Sequence, residues 1–152
     1  MEEHTEKAKL LANKLEDLIM SFKSVDDRCL SLSENLSSRE LLVVSFVGGQ
    51  EKVIMKDIAD LLNAPMSTAT GIVDKLVRKQ FLQRNHSKED RRTVNIHLDV
   101  EGRAIYDLYN SLKFQMTGQV LNILSKSETD DFIHLIEKIM IGLKSYEVVD
   151  VA

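Results

Sequence analysis

Between Met55 and Leu98 the sequence changes its repeat twice, and this succession constrains the fold more than any other feature. Met55 to Leu62 places Ile58, Ala59 and Leu62 on one helical face, and Asn63-Ala64-Pro65 interrupts it. A further helix is predicted from about Met66 to Lys79, with Ala69, Ile72, Val73 and Leu76 as its buried stripe. Phe81-Leu82-Gln83-Arg84 then reads as a short strand. Thr93 to Leu98 alternates, with Val94, Ile96 and Leu98 on one face and Thr93, Asn95 and His97 on the other. A short helix, a tight turn, a second helix and a hairpin outline a helix-turn-helix with a wing, which sets its second helix in the major groove of DNA.

Long helices flank this unit. The first is predicted from about His4 to Phe22, on the stripe Leu11, Leu15, Leu18 and Phe22, with Lys23–Leu36 read as a loop holding at most a short helical turn. Ser37, followed three residues later by Glu40, has the capping-box pattern, and the helix it starts is expected to leave through a left-handed turn at Gly48-Gly49. Asp99 is placed to cap a helix reaching about Leu124. A last helix to about Tyr146 is expected to bury Phe132, Leu135, Ile136, Ile139, Met140 and Leu143. The fold class is therefore mainly α with a small β-hairpin. One domain is expected over 1–152, with a DNA-binding lobe at about 37–99 and dimerisation helices at about 1–36 and 100–152.

Charge supports the same division. The chain totals −4, yet Ser67 to Arg92 holds seven cations against three anions, so this segment is basic between acidic flanks. The opening Met-Glu-Glu-His-Thr-Glu has no apolar core and no apolar run nears the roughly 20 residues of a membrane span, so a cytoplasmic protein without membrane contact is expected. No phosphate-binding glycine loop, nucleophile elbow or carboxylate constellation is present. The four histidines (His4, His86, His97 and His134) lack ligand spacing, so neither catalysis, a metal nor a cofactor is expected.

The candidate DNA contacts follow from the pattern. On the 66–79 helix, Ser67, Thr68, Thr70, Gly71, Lys75 and Arg78 lie off the buried stripe, and small hydroxylated residues allow close approach to bases and phosphates. Gly71 costs a helix about 1 kcal/mol against alanine, which a groove-facing position would justify. Arg84, Lys88, Arg91 and Arg92 supply cations along the hairpin, and Asp90 can orient the Arg92 guanidinium through a charge-assisted hydrogen bond.

Taken together, Ile58-Ala59, Leu62, the run Met66 to Leu76, Arg84, Glu89-Asp90-Arg91-Arg92 and Leu98 to Arg103 resemble the multiple-antibiotic-resistance regulators (MarR family) of bacteria and archaea. The chain departs from that family's usual residues at Pro65, where a capping hydroxyl is common, at Gln80, where glycine is usual and some strain at the helix exit is expected, and at Asp99, where threonine is usual.

The resemblance implies a homodimer made by intertwining the first helix with the last two, bound to a pseudo-palindromic operator in duplex DNA. Residues of the 66–76 helix would read the major groove and Arg92 would enter the minor groove. Stripe position and the resemblance together nominate Phe22, Phe46 and Tyr106 for a pocket taking a small apolar or aromatic effector. Cys29 is the one thiol; the family's hydroperoxide-sensing branch carries its reactive cysteine earlier, within the first helix. The expected function is a transcriptional regulator, a repressor released by an effector. The alternatives are a dimeric protein-interaction adaptor and a redox regulator acting through Cys29.

Overall fold

A computed structural model describes residues 2–33, 36–86 and 94–146. Its elements are α1 (Glu2–Ser33), α2 (Ser38–Gly48), α3 (Met55–Leu61), α4 (Met66–Arg78), β1 (Leu82–His86), β2 (Val94–Leu98), α5 (Val100–Ile123) and α6 (Lys126–Tyr146). Contacts gather the chain into two compact units, Met1–Lys113 and Phe114–Ala152, with the boundary inside α5.

The first helix is longer than its stripe indicates: the expected loop at Lys23–Leu36 is helical as far as Ser33. Two causes act together. Val25 and Cys29, one turn apart, are buried. The serine hydroxyls that would favour a loop fold back on the helix, Ser24 Oγ donating to Ser21 O at 2.6 Å and Ser31 Oγ to Arg28 O at 2.8 Å.

At the start of α2 the capping box forms as read. Ser37 N donates to Glu40 Oε2 at 2.7 Å, and Glu40 N to Ser37 Oγ at 3.4 Å. The exit differs from expectation, because Gly49 is right-handed at φ −85° and no glycine has positive φ. Gly48 serves packing instead: the Tyr106 ring lies where a β-carbon would stand.

Both helices of the helix-turn-helix close with one hydrogen-bond pattern. After α3, Ala64 N donates to Ala59 O and Asn63 N to Asp60 O, each at 3.1 Å, with Asn63 left-handed at φ 44°. After α4, Phe81 N donates to Leu76 O at 2.9 Å and Gln80 N to Val77 O at 3.0 Å, with Gln80 at φ 61°. Each is a Schellman ending, here built without the usual glycine.

The strands pair antiparallel from Leu82↔Leu98 to His86↔Val94. A third segment, unmarked in the sequence because it is too short to alternate, joins them through the bridge Ile54↔Asn95 and Ile96 N to Val53 O at 2.8 Å. Val43, Val44, Val53, Ile58, Val73, Leu76, Leu82 and Ile96 fill the core between these elements.

The base of the hairpin is locked to the next helix. Asp99 N donates to Phe81 O at 3.0 Å, and Gly102 packs so tightly on that carbonyl that a β-carbon would collide with it. This contact explains the Leu98…Gly102 spacing. Asp99 holds the start of α5, its carboxylate accepting from Val100 N at 2.8 Å and its carbonyl from Arg103 N at 2.9 Å.

The second unit begins at Phe114 and contains α6, which opens with Ser125 and Glu128 paired as a capping box. The expected burial along α6 is not met among the described residues. Phe132 is half-buried, but Leu135, Ile136, Ile139, Met140 and Leu143 are 42–60% exposed.

Candidate nucleic-acid interface

α3 and α4 meet through the Asn63–Pro65 turn, and α4 turns its apolar stripe inward: Ala69, Val73 and Leu76 are buried and Ile72 is half-buried. The opposite face therefore projects outward, with Ser67, Thr68, Gly71, Lys75 and Arg78 exposed. Thr70 is half-buried, its hydroxyl donating to Met66 O at 2.8 Å and keeping its lone pairs for an outside donor.

Pro65 takes the N-cap position without a side-chain hydrogen bond. The helix ladder starts with Thr68 N and Ala69 N on Pro65 O, leaving the N–H groups of Met66 and Ser67 ahead of it. Around Gly71, no atom among the described residues, its own stretch of helix backbone and its two chain neighbours aside, stands within 4 Å of where a β-carbon would be. Packing within the chain thus does not require this glycine, whereas a groove wall pressed against the helix would.

Two cations chosen from the sequence have partners inside the lobe. Arg84 on β1 binds Asp74 of α4 at 2.5 Å and rests its guanidinium 4.0 Å from Met55 Sδ. Lys75 and Lys79 both reach one oxygen of Glu40, at 3.1 and 3.2 Å. Burial raises the Glu40 pKa, but hydrogen bonds from Ser37 N–H, Lys75, the Ser37 hydroxyl and Lys79 outweigh it and bring it to about 2. Sequence reasoning read Glu40 only as a cap, since its lysine partners lie far along the chain. Lys88, Asp90, Arg91 and Arg92 fall outside the described residues.

A second feature lies in the same unit. Leu18, Ile19, Phe22, Val25 and Asp26 of α1 face Tyr109 and Lys113 of α5 across a groove of about 570 Å³. Phe22 is on its wall. Phe46 and Tyr106 instead pack against the lobe core, with the Arg103 guanidinium 5.7 Å from the Tyr106 ring centre. Tyr109 was not picked out from the sequence. Burial, then the Asp26 charge, push its pKa up to about 12. Cys29 is fully buried, and burial followed by the Asp26 charge raises its pKa, which suppresses the thiolate a redox sensor needs. Among the described residues, no group of three or more His, Cys, Asp or Glu is arranged to hold a metal, and no helix is long and apolar enough to cross a membrane.

A helix-turn-helix backed by an antiparallel hairpin, with a small-residue face turned outward, defines a winged helix-turn-helix protein. Residues 36–94 match the model of the MarR family, so the winged helix-turn-helix of this chain is similar to that family's. The family is one of DNA-binding transcription regulators, not enzymes.

Among curated relatives, the HTH-type transcriptional regulator YpoP of Bacillus subtilis (strain 168) is 27% identical over 71% of this chain and 77% of its own. The HTH-type transcriptional repressor YetL of the same organism is 28% identical over 64% of this chain and 58% of its own. The crystal structure of Streptococcus pneumoniae FabT in complex with DNA superposes with a TM-score of 0.72 at 20% identity, covering 88% of this chain and 98% of that one.

Proposed function

We propose that this protein is a homodimeric transcriptional repressor that binds a pseudo-palindromic operator through α4 and the wing. The observation that carries this reading is the outward face of α4, where Ser67, Thr68 and Gly71 leave room for a groove wall and, beyond its own helix backbone, Gly71 meets nothing among the described residues. Two neighbours favour it: YetL is named a repressor, and FabT was crystallised with DNA. The apolar stripe left exposed on α6 supports a second copy as partner, because a two-fold pair would present two recognition helices about one DNA turn apart.

The groove between α1 and α5 is the favoured seat for a small apolar or aromatic effector. Its walls are mostly hydrophobic, and Asp26 and Tyr109 offer it polar groups. A ligand there releases DNA only if it binds the DNA-incompetent spacing of the recognition helices better than the competent one. Hundredfold release needs about 2.7 kcal/mol of such preference.

The deciding experiment titrates the purified protein against duplexes selected from a random pool, across a range of salt concentrations. Saturable binding of an inverted repeat, weakening as salt rises, is expected. A protein that enriches no duplex at low salt would instead favour the adaptor reading.

A further inference from the structure

Glu40 is the one buried charged residue among those described, at 3% exposure, yet the DNA-reading chemistry does not use it. Its Oε2 is taken by the Ser37 N–H at 2.7 Å. Its Oε1 accepts from two ammonium groups of one helix face, Lys75 Nζ at 3.1 Å and Lys79 Nζ at 3.2 Å. A cap needs only the first of these contacts, so the second oxygen is doing something else. A carboxylate oxygen holding two lysines one turn apart offers them the hydrogen bonds and charge that a backbone phosphate oxygen would offer.

We propose that Glu40 is a specificity residue: its carboxylate stands in for a DNA phosphate and withholds Lys75 and Lys79 from indiscriminate contact with the backbone. Non-specific affinity grows with each phosphate neutralised, whatever the sequence. An internal acceptor lowers that background. A lysine leaves it only where the correct sequence brings α4 close enough for a phosphate to compete. Lys75, half exposed, is the one placed to exchange; Lys79, more buried, stays on the carboxylate. Because Glu40 stays ionised far below neutrality, the restraint operates at every working pH.

The inference rests on the DNA-binding reading, and the experiment separates the two. Fluorescence anisotropy is measured on a random-sequence 30-base-pair duplex and on a duplex selected by the wild type, from 50 to 200 mM salt (roughly the range over which phosphate contacts dominate). If the wild type binds neither duplex, the DNA-binding reading fails. If it binds, Glu40→Gln is compared with it, since glutamine can still serve a capping box. The expected result is several-fold tighter binding of the random duplex and a smaller preference for the selected one. The log-affinity against log-salt slope should steepen by about 0.9 for each lysine released.

Asp60→Asn, which removes one exposed charge from the same lobe, should leave that slope alone, so a mere change in net charge is distinguished. Lys79→Met should have no effect on random-duplex binding in the wild type, and should remove part of the steepening in Glu40→Gln. An unchanged slope in Glu40→Gln, or an equal change in Asp60→Asn, overturns the proposal. If Glu40→Gln does not fold, loss of random-duplex affinity in Lys79→Met alone overturns it.

Discussion

Gln80 shows how one side chain can hold a fold below its attainable stability. It sits at φ 61°, where a β-carbon crowds the backbone by about 1–2 kcal/mol, in an ending that glycine would make without strain. Gln80→Gly is therefore expected to stabilise the protein by about 1 kcal/mol in denaturant melts, with the hairpin unchanged. The departure at this position was legible only through the family resemblance, in which glycine is usual here; the Schellman ending supplies its physical reason.

Glu40 gives the opposite case, a contribution that depends on pH. Its folded pKa lies below the ordinary value of 4.5, at about 2, so its stabilisation is complete above the unfolded value and is lost as pH falls from about 4.5 towards 2. Its magnitude is at most about 3 kcal/mol. Acid unfolding of Glu40→Gln should show a shallower loss across that window; identical acid profiles would assign the transition to other carboxylates. Cys29 supplies a third test at this scale. Buried and with its thiol pKa raised, it should be replaceable by serine without loss of the response to a natural inducer, and a Cys29→Ser protein that no longer responds would restore the redox reading.

Between elements, the sequence shows local pairings and hides distant ones. The Ser37–Glu40 cap, the alternation of β2 and the stripe of α4 all follow from neighbours within one turn or one pleat, and each formed as read. The second half of α1 was hidden because its two buried residues, Val25 and Cys29, are outnumbered by polar ones whose serines bond back to the helix. The groove residue Tyr109 and the tie of Glu40 to α4 depend on which helices meet, which periodicity does not encode.

Arg84 illustrates the gap: a cation on the hairpin reads as a DNA contact, and its ion pair with Asp74 on α4, which gives it a second role as a brace, is not visible in the sequence. The two roles forecast different data. As a brace, Asp74→Asn and Arg84→Gln should each weaken operator binding, and the double variant should be no worse than the poorer single. If Arg84 instead meets a phosphate directly, Arg84→Gln alone should reduce the salt slope by about 0.9. Stability is a poor readout here, since a surface pair of this kind contributes at most about 1 kcal/mol.

For the whole molecule, the open question in the sequence was where its surplus of apolar residues would go. A stripe such as Leu135, Ile136, Ile139, Met140 and Leu143 looks the same in a sequence whether its own chain or another covers it; only the described surface shows it exposed. Ile139→Glu is expected to convert the proposed dimer to a monomer by light scattering at micromolar concentration while far-UV helicity is retained. Operator affinity should fall with it, because two half-sites would no longer be bound together. A variant that stays dimeric would place the interface on other residues.

The collision that forbids a side chain at Gly102 also has a mechanical reading. A joint with a gap absorbs small movements before passing them on, whereas a joint in hard contact has no backlash. Gly102 bears directly on the Phe81 carbonyl, and Asp99 N is bonded to the same oxygen, so the root of the hairpin and the first turn of α5 are coupled without play. Tyr109, on the groove wall, stands seven residues further along that same helix, about 10 Å away. If a ligand seats in the proposed groove, a tilt of the helix at Tyr109 has a short, tightly packed route to the root of the hairpin, and the stiffness of a single α-helical segment would set how small a movement is passed on.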